Sequence, residues 1–169
     1  MKTLLISFGM MCALAFAAHG QDVAKATCKL ESKSGSQVTG MVTFTKVGGD
    51  VQVVGDITGL KPGKHGFHIH EKGDCSAPDA ASAGAHFNPT QQKHGGPMTA
   101  EHHTGDFGNI EADASGKAHI DWKGKMNMSG ADSIIGKSLV VHEKEDDLKT
   151  DPSGNSGARQ ACGAIEAAK

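Results

Sequence analysis

The sequence predicts an all-β domain, an eight-stranded antiparallel Greek-key barrel or sandwich with two long functional loops. Three observations lead there. Short runs of alternating polarity recur along the chain, separated by clusters of Gly, Asp and Ser. Aromatic residues make up only 4% of the chain while glycines number 23, a balance that suits many tight turns between short strands. Long helical periodicity is missing. With 169 residues and neither an internal repeat nor a structureless linker, the chain fits one domain around one core.

Strands are expected near residues 26–33, 38–46, 50–57, 64–70, 106–111, 117–122, 138–142 and 161–166, with turn signals such as Lys33-Ser34-Gly35-Ser36, Gly48-Gly49-Asp50 and Ala114-Ser115-Gly116 between them. Successive side chains of a strand point to opposite faces, so alternation assigns sides. Val42 and Phe44 oppose Thr43 and Thr45, and Ala118, Ile120 and Trp122 oppose Lys117, His119 and Asp121; the first set of each should line the core. In the fourth strand Phe67 and Ile69 turn inward, while His68 and His70 project outward to one side, the spacing that presents two imidazoles to one ion. The connections 71–105 and 143–160 exceed the usual length in a compact domain, which marks them as functional or disordered. The first carries His86, His94 and His103 and ends beside Asp106, and the second lies between His142 and Arg159. Donors are thus displayed by loops on a rigid frame.

Lys2 followed by the apolar stretch Leu4 to Ala18 reads as a secretory leader, too short for a comfortable membrane span. Ala18-His19-Gly20 and Ala15-Phe16-Ala17 both satisfy the small-residue rule for cleavage, so the leader is placed at about residues 1–20 and the mature domain at 21–169. Cys12 is not preceded by the small-residue run of a lipoprotein signal. Export permits disulfides, and the mature chain keeps an odd set, Cys28, Cys75 and Cys162. Cys28 shares a strand face with Ala26 and Leu30 and reads as a buried, inert thiol. Losing Lys2 makes the formal charge one unit more negative than −2. No basic run suggests nucleic acid, and an anionic substrate would have to be drawn in by a local positive field against a mildly negative whole.

The chemistry-bearing residues are His68, His70, His86, His94, His103, Asp106 and His142. Neutral imidazoles favour borderline transition metals, and a lone carboxylate among them favours a second, harder site. Seven donors are too many for one tetrahedral ion. If His86 serves two ions as an imidazolate, they divide into His68, His70, His86 and His142, a set suited to tetragonal copper, and His86, His94, His103 and Asp106, a set suited to zinc.

The motifs that carry these residues are Gly66-Phe67-His68-Ile69-His70-Glu71, Gly84-Ala85-His86-Phe87-Asn88-Pro89, Lys93-His94-Gly95-Gly96-Pro97, His103-Thr104-Gly105-Asp106-Phe107-Gly108-Asn109, Leu139-Val140-Val141-His142-Glu143-Lys144 and Gly154-Asn155-Ser156-Gly157-Ala158-Arg159-Gln160-Ala161-Cys162-Gly163. In that order the chain resembles copper/zinc superoxide dismutase from about Ala26 to Ile165. The resemblance implies that residues 21–169 are one such domain, with one copper and one zinc per subunit on the ligand sets above. It implies an enzyme that turns superoxide into dioxygen and hydrogen peroxide by copper redox cycling, with zinc as a structural and electrostatic partner and His86 taking up a proton in the reduced state. It also implies a Cys75–Cys162 disulfide tying the first long loop to the last strand. Arg159, the only arginine of the chain, is placed over the copper as the attractor of the anion, a role suited to a fixed and always-charged fork. Asp146 resembles the carboxylate that hydrogen-bonds one ligand histidine of each metal and orients both rings. Lys144 is a weaker steering candidate.

Of the other histidines, His65 reads as a structural residue hydrogen-bonded at the barrel end and His119 as solvent-exposed. His102 neighbours a ligand, but the three-residue spacing to Asp106 selects His103. The short interval from His70 to Cys75, the short second loop and the leader point to an exported member of the bacterial type, periplasmic or secreted, with no nucleic-acid or membrane partner. The family offers both homodimers and monomers, and no interface carries over. The main rival reading is a non-catalytic copper- or zinc-binding or metal-delivery module on the same fold. A hydrolytic zinc enzyme would need an open zinc position and a nearby base, which this assignment lacks.

Overall fold

The computed structural model describes residues 23–168, so the expected leader, its cleavage point and Cys12 lie outside the described residues. Eight strands follow in chain order: β1 (Lys25–Ser32), β2 (Thr39–Val47), β3 (Asp50–Thr58), β4 (Gly63–His70), β5 (Asp106–Ala112), β6 (Ala118–Gly124), β7 (Ser138–His142) and β8 (Arg159–Ala167). They form one antiparallel sheet in the order β5-β4-β7-β8-β1-β2-β3-β6. Tight turns join β1 to β2, β2 to β3 and β5 to β6. The β2–β3 hairpin turns on Gly48, whose φ of 64° is a left-handed conformation that glycine adopts without strain. The passages from β3 to β4 and from β6 to β7 cross to non-adjacent strands and give the Greek-key order. The end strands β5 and β6 approach each other through an edge-on contact of Phe107 and Trp122, ring centroids 4.8 Å apart, which brings the sheet close to a closed barrel.

The alternation of apolar residues assigns the core correctly. Val42, Phe44, Ala118 and Ile120 are buried with Leu30, Val53, Phe67, Ile69, Leu139 and Ile165, and Trp122 packs partly buried against them. His119 is exposed and pairs across β3–β6 with Asp56, Nδ1 to Oδ1 2.8 Å. Strand ends differ from expectation by a residue or two, and at β8 the difference matters: the strand begins at Arg159, opposite His142 across a bulge, so the arginine stands on the barrel wall. A third connection, residues 125–137, was not singled out in the sequence; its Met128 and Ile134 are buried in the main core.

Cys75 and Cys162 are joined, with Cα atoms 5.7 Å apart, and anchor the first long loop on β8. Cys162 sits with Ala80, Ala83 and Val140 in a second small apolar cluster beneath that loop. Among the described residues Cys28 is the free thiol, buried and pushed up to about 12 by loss of solvent, which keeps it protonated and unreactive. The bridge closes a separation of 87 residues. On the chain-entropy model this contributes about 4.6 kcal/mol, less any strain. A Cys75→Ser, Cys162→Ser double variant is therefore expected to unfold in urea with a stability lower by about 3–5 kcal/mol. An unchanged midpoint would show that the loop is held entirely by other contacts.

Candidate metal centre

Strand β4 supplies the foundation. His68 and His70 lie on the side opposite Phe67 and Ile69, as the alternation requires, yet they are 0% and 1% exposed because the two long loops fold over them. The outer face of the barrel is here an interior. The first loop returns to β4 through a ladder of backbone bonds: Phe87 N donates to Ile69 O at 2.8 Å, Gly105 N to Phe87 O at 3.0 Å and Ile69 N to Gly105 O at 2.9 Å. That ladder delivers His86 beside His70 and sets His103 and Asp106 at the mouth of β5.

The seven donors converge in two groups, His68, His70, His86 and His142, and His86, His94, His103 and Asp106, with the candidate ligand atoms of each group within 4.8 Å of one another. His86 is the shared member, its ring centroid 4.1 Å from that of His68, 4.9 Å from His70, 5.4 Å from His94 and 5.5 Å from His103.

In each ring that carries an outside hydrogen bond, that bond leaves the other nitrogen to the centre. His68 Nε2 donates to Asp146 Oδ2 at 2.8 Å, and His94 Nε2 donates to Asp146 Oδ1 at 2.9 Å. His70 Nδ1 donates to Gly84 O at 2.9 Å and His142 Nδ1 to Gly157 O at 3.3 Å. What remains is His68 Nδ1, His70 Nε2 and His142 Nε2 facing one point, and His94 Nδ1 facing the other. His68 Nδ1, His86 Nε2 and His94 Nδ1 are buried without a hydrogen-bond partner. Leaving a buried polar atom unpaired costs about 1–3 kcal/mol, so three of them aimed into two clusters fit metal ions as the missing partners. Asp106 completes the second cluster: its Oδ1 lies 2.8 Å from His86 Nδ1 and 3.2 Å from His103 Nδ1, and its Oδ2 lies 3.1 Å from His94 Nδ1. Backbone N–H groups of Gly95 and His103 hold Oδ2 from behind.

The protonation states of His68, His70 and His142 suit ligation, while a metal ion at His94 would have to displace a proton. Burial lowers His68 to about 4 and keeps His70 and His142 well below the ordinary imidazole value, so their lone pairs are free at neutral pH. Burial opposes charge on His94 as well, but the carboxylates of Asp106 and Asp146 at its two nitrogens outweigh it and raise it to about 10. Burial alone would raise both acids; the imidazole hydrogen bonds reverse this and hold Asp106 and Asp146 far below the usual carboxylate range.

Asp146 is 1% exposed rather than part of a solvated charge run. Asn109 clamps its backbone from both directions, Nδ2 to Asp146 O at 2.9 Å and Asp146 N to Asn109 Oδ1 at 2.7 Å. Gly154, at φ 62°, lets the second loop press onto this carboxylate; a Cβ there would collide with Asp146 and stand 2.7 Å from His94 Nε2. Asp151 Oδ1 accepts from His94 N at 2.6 Å. Sequence reasoning quoted Asn109 and Gly154 only as parts of motifs and passed over Asp151, since a hydrogen bond across 37 or 57 residues leaves no local signal. His102 turns away, with Nδ1 on His103 O, and His65 is fixed between His142 O and Lys61 O at 2.8 Å each.

A cleft of about 630 Å³ opens onto His70, His86, His142 and Arg159, whereas His94, His103 and Asp106 do not line it. Half-buried Arg159 sends two nitrogens to Ala80 O and Gly84 O, both at 2.7 Å. Gly84 O thus accepts from His70 as well as from the arginine. Lys144 is exposed and lies outside the lining of this cleft.

A family model described as copper/zinc superoxide dismutase matches residues 38–165. The chain belongs to this family. It is 44% identical over 137 residues to an extracellular copper-zinc superoxide dismutase of Caenorhabditis elegans, an alignment covering 77% of this chain and 62% of the relative, so it spans about three fifths of that protein's length. To the extracellular enzyme of Drosophila melanogaster it is 47% identical over 139 residues, covering 77% and 76%. The solved structure of the clock protein EA4 superposes with a TM-score of 0.80 at 41% identity, covering 88% of this chain and 97% of that one. The Caenorhabditis elegans and Drosophila melanogaster relatives are animal proteins, so the bacterial type expected from the loop lengths and the leader gains no support from them. The metals of the family are copper and zinc, and both clusters have the donors they require.

Replacing Asp146 by Asn should weaken both metals together, about 10- to 100-fold each in chelator competition, because one carboxylate orients a ring of each cluster. Loss confined to one metal would contradict the shared anchor.

Proposed function

We propose that this protein is an exported superoxide dismutase, with copper on His68, His70, His86 and His142 and zinc on His86, His94, His103 and Asp106. The observation that carries the reading is the asymmetry around His86: His70, His86 and His142 line a cleft with a guanidinium at its wall, and His94, His103 and Asp106 do not line it. A copper ion held there would supply one-electron exchange with superoxide, one molecule giving up its electron to leave as dioxygen and a second taking up that electron and two protons to leave as hydrogen peroxide, while zinc would supply fixed charge without redox change.

The chain's own residues do the rest. Arg159 draws the anion down the cleft and holds it beside His70 and His142, its fork kept in place by the two carbonyl bonds. His86 holds and releases a proton at Nε2, the nitrogen on the copper side, while Nδ1 stays engaged with the Asp106 cluster. Asp146 keeps His68 and His94 in one tautomer, each donating from Nε2, through every turnover. The rival reading, a metal-delivery module, is disfavoured by a full donor set joined to an anion-attracting cleft.

Residues 1–20 are proposed as the export leader and 21–169 as the mature enzyme, acting in a periplasm or outside the cell; relatives named extracellular support secretion. The homodimer is carried forward as a proposal with no interface assigned, for sedimentation to decide.

His142→Ala should abolish dismutation while retaining most zinc, measured by metal analysis beside a superoxide assay; equal loss of both metals would refute the division of ligands. Arg159→Ile should slow turnover at least about tenfold and flatten its decline with salt, as loss of a steering charge does. A wild-type rate in that variant would remove the arginine from the mechanism.

A further inference from the structure

The entrance to the cleft is poor in charge. Of the residues that line it, Arg159 and Asp79 are the two with formally charged side chains apart from the histidines; the rest include Ser34, Ala81, Ala85, Pro152, Ser153 and Ala158. Asp79 is exposed and is held on the loop that carries the arginine's acceptors: its Oδ1 accepts from Ala81 N at 2.9 Å, and the next residue, Ala80, takes φ 57° and presents its carbonyl to Arg159. This places a fixed anion at the rim of an anion-binding cleft. An Asx turn needs an oxygen acceptor but not a charge, because asparagine forms the same turn. The negative charge at position 79 is therefore extra to what the turn requires.

We propose that Asp79 is a specificity-determining residue of the cleft, whose charge opposes the Arg159 field and holds down the affinity of anions for the copper side. A fixed negative charge at the rim acts by ligand charge, so it lowers occupation by anions relative to neutral molecules of similar size. The field of Asp79 reaches the guanidinium, on which it acts against the effect of burial. The proposal rests on the dismutase reading for its consequence in catalysis, but its electrostatic content applies to any small anion.

Asp79→Asn keeps the turn and removes the charge, and Asp79→Glu keeps the charge on a longer stem. In the metal-loaded full-length mature protein, azide titrated optically should bind Asp79→Asn about two- to fourfold more tightly than wild type at low salt, the effect of one unit charge several ångströms away through a water-like dielectric. The difference should fade above about 0.3 M salt, and the salt dependence of kcat/KM should steepen. Asp79→Glu should follow the wild type in both, and the melting temperature of Asp79→Asn should stay level. Equal azide affinity in wild type and Asp79→Asn would overturn the proposal. So would a fall in melting temperature with no change in azide affinity, which marks a structural role alone. Copper-loaded wild type that binds azide but does not dismute superoxide would sink the functional reading, while the azide comparison still decides the role of Asp79.

Discussion

One buried carboxylate, Asp146, accepts hydrogen bonds from His68 on β4 and His94 on the first long loop, and it is itself supplied by the second long loop. A full negative charge at that depth is stable only with donors around it, and here the donors come from three chain segments. The two imidazoles take one oxygen each, and Leu148 N adds a bond to Oδ1 at 2.7 Å. Asn109 fixes the backbone, and Gly154 leaves the space a side chain would fill. Satisfying this one group folds both loops onto the barrel wall and fixes which nitrogen of each ring is left for an ion.

The same closure gives the centre two unlike sides. His94, His103 and Asp106 lie away from the cleft, between β5 and the loops, where a redox-inert ion would act through charge and shape. His70 and His142 reach an open cleft where a small anion can arrive. Holding His86 between them, with one nitrogen toward each side, turns a structural cluster and a reactive cluster into one unit. The arginine belongs to this unit through Gly84 O, which it shares with His70, and through the Cys75–Cys162 bridge that fastens the same loop to β8. A shift of that loop would move a ligand ring and the anion attractor together.

Much of this was legible in the chain. The two-residue period of Phe67-His68-Ile69-His70 sets both imidazoles on one face, and the three-residue interval from His103 to Asp106 separates the ligand from His102. The core followed from the same alternation in β2 and β6. The mutual position of the loops was harder to read. Asn109, Asp151 and Gly154 act across long sequence separations, and nothing in their neighbours distinguishes them from ordinary turn or strand-end residues. The place of Arg159 on a strand depended on a bulge opposite His142, which no local pattern announces.

By itself the sequence determined the strand periodicity, the donor types and hence the two metals, because side-chain alternation and ligand chemistry are local properties. Only the tertiary structure decided that the outward face of β4 is an interior, that Asp146 serves both clusters and that the cleft is lined from the four-histidine set. Those outcomes depend on how two loops, 71–105 and 143–158, pack against each other to pair buried polar groups, and that pairing is settled by the fold as a whole.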